Sequence, residues 1–243
     1  MRKKQVEYWW KRLGGVLATV FLSLGGNDAS AQTRRDFQSW FQTTALIKLT
    51  SQEPKFSLYL EAQPRFGDNS SSLERLLLRP ALVYHVTPAL SLWAGYAWTP
   101  TYLTPTYQDD FRNESRAWEQ MQYTQKLEDT SITLVHRLRQ EQRFLQNAGG
   151  TSHRTRYLLR ASAPWCPEGA HGLTGYNEAF VTWNGPENAP RKGFDRDRVF
   201  VGPYWTIAPG MRLEVGYLGE YARHFRDGQR LIQGVLTSLQ MNF

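Results

Sequence analysis

Leu231-Ile232-Gln233-Gly234-Val235-Leu236-Thr237-Ser238-Leu239-Gln240-Met241-Asn242-Phe243 is the stretch whose reading decides the fold. Odd positions carry Leu231, Val235, Leu239, Met241 and Phe243, interrupted by Gln233 and Thr237, while Ser238, Gln240 and Asn242 occupy even positions. A period of two marks a strand, because successive side chains point to opposite faces. A soluble sheet rarely finishes on such a strand with an aromatic last residue. An outer-membrane barrel does so readily, since its closing strand meets lipid on one face and the lumen on the other.

The same period runs back through the chain. Phe37, Phe41, Ala45, Ile47 and Leu49 alternate with Gln38, Gln42, Thr44 and Lys48. Phe56, Leu58, Leu60, Ala62 and Phe66 alternate with Ser57, Glu61, Gln63 and Arg65. Leu76, Leu78, Leu82, Tyr84 and Val86 oppose Arg75, Arg79 and His85, and Leu90, Leu92, Ala94, Tyr96 and Trp98 oppose Ser91, Gly95 and Thr99. Further on, Leu134 and Leu138 oppose Arg137, Arg139 and Glu141; Tyr157, Leu159 and Ala161 oppose Arg154, Arg156 and Arg160. Ala179, Val181 and Trp183 oppose Glu178; Val199, Val201 and Trp205 oppose Arg196 and Arg198; Leu213, Val215 and Tyr217 oppose Arg212, Glu214 and Glu220. Alternation of this kind argues strand over helix. Residues 116–126 are the exception, polar on both phases, with a helix as the competing reading because Trp118, Met121 and Gln122 also fit one helical face.

The expectation is a single all-β domain, an antiparallel up-and-down transmembrane barrel of 10–12 strands over 32–243. Eleven segments can be counted, whereas bacterial single-chain barrels use an even number. Connections alternate between short ones, such as Ala208-Pro209-Gly210, and longer ones at 67–72, 100–114, 142–152 and 185–195, although 165–172 is longer and 227–228 shorter than the alternation asks. Short periplasmic turns and longer external loops have that pattern. The mean hydropathy of −0.54 fits a wall wetted on one face. Aromatic residues make up 14%, including 9 Trp, which suits interfacial girdles.

Residues 1–31 read as a secretory signal: a basic start from Arg2 to Arg12, an apolar run from Leu13 to Leu24, and Ala29-Ser30-Ala31 as the cleavage site. The run is shorter than the ~20 residues a spanning helix needs. The net charge of +7 owes much to this leader; without it 24 basic and 20 acidic residues remain, a balance of +4. Charge therefore calls for no nucleic-acid partner. The one cysteine, Cys166, cannot form an internal disulfide. The partners implied are outer-membrane lipid and the barrel-assembly machinery, engaged through the strand ending in Phe243. No cofactor or metal is implied.

Short runs point the same way. They are 136–144 (HRLRQEQRF), 154–160 (RTRYLLR), 177–180 (NEAF), 195–202 (DRDRVFVG) and 213–218 (LEVGYL), with Gly95-Tyr96 upstream. In that order they resemble the bacterial family called domain of unknown function 2490. The resemblance covers about 37–243 and implies an outer-membrane barrel, with no catalytic residues to carry over.

The chemical signal is the polar phase. Arg75, Arg79, Arg137, Arg139, Glu141, Arg154, Arg156, Arg160, Glu178, Arg196, Arg198, Arg212 and Glu214 are expected to face the lumen, with Lys48, Arg65, Glu61 and Glu220. On the lipid face an Arg or Lys costs ~2–4 kcal/mol at midplane. Two readings stand: cross-strand ion pairs filling a narrow lumen, or a basic track guiding anions such as acidic oligosaccharides. A lipid-modifying enzyme is a further alternative, with His136 near Ser131 or Ser162, though no nucleophile motif accompanies it. Asp109, Asp110 and Glu114 form a candidate cation loop. A soluble periplasmic barrel that binds lipid completes the alternatives.

Overall fold

Alternation in sequence becomes alternation across a wall. The computed structural model describes residues 33–49, 55–102, 112–128, 130–165, 169–224 and 228–243. The proposed leader (1–31), Cys166 and the pair Asp109–Asp110 lie outside them. The described chain holds eleven strands: β1 (Thr33–Lys48), β2 (Phe56–Gly67), β3 (Ser72–His85), β4 (Leu90–Trp98), β5 (Glu114–Lys126), β6 (Thr133–Leu145), β7 (Ser152–Pro164), β8 (His171–Thr182), β9 (Gly193–Ala208), β10 (Met211–His224) and β11 (Gly228–Asn242). Each pairs with its neighbours in sequence, and β1 pairs with β11 to close a barrel. Residues 116–126, where a helix competes in the sequence, belong to β5.

The expectation of an antiparallel barrel needs one correction. Every neighbouring pair is antiparallel except β1 and β11, which run parallel from Thr33↔Gln229 to Leu46↔Asn242. The cause is parity. In an up-and-down meander of eleven strands, first and last point the same way, so closure requires one parallel ladder. The odd count that the sequence left unresolved is thereby accommodated.

Parallel pairing is slightly weaker per residue, and a cluster of side chains reinforces this seam. Arg230 of β11 donates to Asp36 of β1 (3.1 Å) and to Glu74 of β3 (2.8 and 2.9 Å). Gln38 of β1 donates to both carboxylates, at 2.7 Å to Asp36 and 2.5 Å to Glu74. Asp36 also accepts from the Asn69 N–H in the β2–β3 turn at 3.2 Å. At the other end, Phe243 N–H donates to Leu46 at 2.9 Å and Lys48 N–H to Phe243 at 3.0 Å. Gly210 (φ +71°) makes the β9–β10 turn beside it; a Cβ there would meet the Asn242 carbonyl at 2.4 Å.

Two bulges break the period and add charge to the interior. Between β2 and β3 the register passes from Arg65↔Arg75 to Phe66↔Leu73, leaving Glu74 as the extra residue. Between β8 and β9 it passes from Phe180↔Arg196 to Val181↔Phe194, leaving Asp195 extra. A bulge places two residues opposite one. Glu74 with Arg75, and Asp195 with Arg196, therefore all line the same interior cavity.

The interior is not uniformly polar, as the period-two reading expected. Trp40, Phe200, Leu218, Ile232 and Leu236 are buried together beneath the seam, with Tyr176 against them. A second apolar group joins Ala81, Ala97 and Trp118. The Trp118 indole lies against Gly95, where a Cβ would come within 2.5 Å of the ring.

Changing Arg230 to Ala strands Asp36 and Glu74 at the seam. Removing one partner of a buried ion pair costs about 3–5 kcal/mol. Arg212→Ala, at a more exposed pair, is expected to cost much less. Urea unfolding followed by tryptophan fluorescence checks the difference.

Candidate functional site: a charged septum between two cavities

The interior divides into two spaces. One end of the barrel carries the short turns at 86–89 and 209–210 and the carboxyl terminus; the other carries the connections 99–113, 146–151 and 183–192. The cavity toward the short-turn end has a volume of about 570 Å³ and reaches Ser131, Pro164 and Asn242. The one toward the long connections, about 160 Å³, reaches Thr101, Gln146 and Asn188. Arg65, Arg79, Arg156 and Arg198 line both, so they stand at the partition.

Three aromatic side chains hold that partition. Trp40 of β1, Trp118 of β5 and Phe180 of β8 are almost wholly buried. The Arg65 guanidinium lies 3.6 Å from the Trp40 ring centroid and Arg198 4.8 Å. Arg139 lies 4.1 Å from Trp118. Arg156 and Arg198 approach Phe180 to 4.6 and 5.1 Å, with Arg154 at 5.2 Å. A cation over a ring face gains roughly 0.5–2 kcal/mol, most where both are desolvated.

Carboxylates bind the arginines into a network. Glu178 takes Arg137 and Arg156 at 2.7 Å and Arg198 at 3.3 Å. Glu141 takes Arg154 at 2.5 Å and Arg156 at 2.7 Å. Glu220 takes Arg198 at 2.5 Å and Arg196 at 3.1 Å; Asp195 takes Arg154 at 2.8 Å. Glu61 holds Arg79 at 2.6 Å. Glu214 is shared by Arg160 and Arg212. Charged groups so enclosed must be paired or they raise the free energy of the fold.

These contacts place each residue singled out in the sequence. Arg75, Arg154 and Arg196 line the narrower cavity, and Arg137, Arg139, Arg160, Glu178 and Arg212 the wider one. Arg79, Arg156 and Arg198 line both. Glu141 and Glu214 sit behind the arginines they bind. Lys48 differs, lying exposed at the rim. Sequence reasoning missed Glu74 and Asp195, which the bulges bring inward against the simple period. It also missed the septum rings, having read aromatics in general as interfacial girdles and given Trp40, Trp118 and Phe180 no face. Their signal was phase: Trp118 falls in step with Arg116 and Gln120.

The enzymatic candidates separate. His136 Nδ1 lies 2.9 Å from the Tyr157 hydroxyl, with its ring near Tyr123 on the outer face. Ser131 and Ser162 line the wider cavity, on the other side of the wall. Glu114, one of the proposed cation ligands, instead binds Arg116 at 2.7 Å and Arg143 at 2.6 Å. Among the described residues no group of three or more His, Cys, Asp or Glu side chains is placed to hold a metal ion.

The outer surface is banded. Leu60, Leu82, Leu92, Met121, Leu138, Leu159, Val201 and Val235 are exposed around its middle. Phe37, Tyr96, Trp98, Phe144, Trp183 and Phe194 stand toward the long connections, and Phe56, Tyr84, Tyr123, Trp165, Trp205 and Phe243 toward the short turns. Polar tips are satisfied locally: Trp98 Nε1 donates to Asn113 at 2.6 Å and Trp183 Nε1 to Thr155 at 2.6 Å. Phe194 and Trp205 span β9 with about 36 Å of strand at roughly 3.3 Å per residue. At a tilt near 40° that is about 28 Å of barrel height.

Fold and interior together define a closed mixed β-barrel, apolar outside, with a charged partition within. The family described as "Protein of unknown function (DUF2490)" matches residues 37–230, and the chain belongs to it. An uncharacterised protein of Methylorubrum extorquens is 32% identical over 218 residues, covering 89% of this chain and 92% of the relative.

Glu178→Gln leaves three guanidiniums short of charge at the partition. The expected loss is about 3–5 kcal/mol, against less than about 0.5 kcal/mol for Glu187→Gln on the exposed 183–192 connection. Denaturant midpoints of the two variants measure the contrast.

Proposed function

We propose that this chain is a bacterial outer-membrane barrel whose lumen is closed across its middle, with a structural or transport-related role. The observation that carries the reading is the banded exterior. Most charged side chains along its middle height point inward, while apolar side chains are exposed there between two rings of aromatics; Glu119 and Asp197 are on the outer phase, bonded to Gln142 and Asn177. Water would penalise so large an exposed apolar surface, whereas a bilayer supplies its solvent. The band height of about 28 Å is close to the roughly 25 Å typical of such barrels.

In this reading the segment 1–31 directs export. The strand ending in Phe243 is the mark read by the barrel-assembly machinery, before β1 pairs with it along the seam. The wider cavity opens toward the periplasm, because the short turns at 86–89 and 209–210 lie at that end. Longer connections face outward.

The septum supports a closed barrel over an open anion-selective pore. Its arginines are already held by carboxylates and rings, so ions crossing it would have to break several buried contacts. A track for acidic oligosaccharides would need the partition to part. The lipid-modifying alternative finds less support, since His136 and the candidate serines are on opposite faces of the wall.

Fractionated cells are expected to carry the protein in the outer membrane, released by detergent and retained through high-salt washing. Recovery in the osmotic-shock fraction would favour the soluble periplasmic reading. In planar bilayers the purified protein is expected to show no steady conductance; a stable anion-selective channel would restore the open-pore reading.

A further inference from the structure

The wider cavity holds more positive charge than its own carboxylates answer. Eight arginines line it: Arg65, Arg79, Arg137, Arg139, Arg156, Arg160, Arg198 and Arg212. Among the described residues, five carboxylates lie within ion-pair distance of them, namely Glu61, Glu141, Glu178, Glu214 and Glu220. Three guanidiniums are thus unmatched, and more in effect, because Glu141 and Glu220 also serve Arg154 and Arg196.

The shortfall has an address. Arg65 and Arg139 have glutamine where the others have a carboxylate. Arg65 donates to Gln63 at 2.6 and 3.0 Å, and Arg139 to Gln120 at 2.6 and 2.8 Å. Arg139 is 2% exposed, and its Nη1 has no acceptor among the described residues. A buried guanidinium without a countercharge is costly unless an anion completes it. The way in is through Arg137, Arg160 and Arg212, whose side chains are 22, 21 and 26% exposed. The volume of about 570 Å³ falls within the ~300–1,000 Å³ typical of small-molecule sites.

We propose that the wider cavity binds a diphosphate-type polyanion, free or carried on a lipid headgroup, with Arg139 as its deepest ligand and Arg137 and Arg160 at its mouth. A phosphate group carries about −1.5 to −2 at neutral pH, so two linked groups meet an excess of three charges. The planar fork of arginine matches phosphate oxygens in pairs. The proposal rests on the closed-lumen reading, since in an open channel water and salt would screen the same charges.

The test is calorimetric titration of sodium pyrophosphate into the purified full-length protein in non-ionic maltoside micelles, at constant ionic strength set with chloride. Saturable binding near one per chain is expected, at least tenfold weaker in Arg139→Gln and in Arg137→Gln. Arg75→Gln, on the narrower cavity, is expected to bind as the wild type does. Arg139→Gln removes a charge that has no carboxylate partner, so the barrel should keep its fold, which circular dichroism checks. A second arm dopes the micelles with a diphosphate-bearing lipid. Loss of pyrophosphate binding there identifies the headgroup as the source, and undiminished binding identifies a free solute. Absence of saturable heat with a folded barrel, or equal affinity in Arg139→Gln, overturns the site while leaving the closed-barrel reading standing.

Discussion

Charge enclosed by a sheet that closes on itself is the constraint on which the rest depends. Strand alternation sends about half the side chains inward, and here many of those are arginine. An isolated buried guanidinium would raise the free energy steeply. The chain answers with carboxylates shared between arginines, Glu178 foremost. It adds three aromatic faces, each stacked by guanidiniums. Together these fill the cross-section, so the network that satisfies the charges also partitions the lumen. Stability and closure have a common origin.

The odd strand count imposes the second demand. A parallel ladder must join β1 to β11, and the structure concentrates reinforcement there. Asp36, Glu74, Gln38 and Arg230 bind the seam near the long connections. Trp40, Phe200, Leu218, Ile232 and Leu236 pack beneath its middle. The interior is therefore asymmetric, with an apolar core under the closing strands and the shared carboxylates Glu141 and Glu178 on β6 and β8. Glu74 belongs to both systems, since the bulge that exposes it to the lumen also brings it to the seam.

Much of this was legible in the chain. Period-two alternation locates the strands, and the polar phase names the arginines and glutamates of the network, because both follow from local geometry. Strand count followed too, but its consequence did not: closure is a relation between residues 196 positions apart, as Arg34 and Arg230 are. Bulges hid Glu74 and Asp195, since one extra residue reverses the face of everything read by simple alternation. Trp40, Trp118 and Phe180 were hidden for a different reason. An aromatic ring is equally at home against lipid or against a guanidinium, so residue type alone gives them no face, and only their phase places them inside. The charge excess in the wider cavity required distances, because glutamine at 63 and 120 looks like any other polar position in sequence.

The most direct measurement of the membrane-spanning wall compares adjacent residues on β5. Met121 is exposed on the outside, whereas Gln122 lines the wider cavity. With Cys166 replaced by serine, spin labels at Met121→Cys and Gln122→Cys in reconstituted bilayers can be tested for collision with oxygen and with a water-soluble nickel chelate. The expected result is strong oxygen collision and little chelate access at 121, with the opposite preference at 122. Equal access of the chelate to both positions would contradict a wall with lipid on one side and an enclosed polar interior on the other.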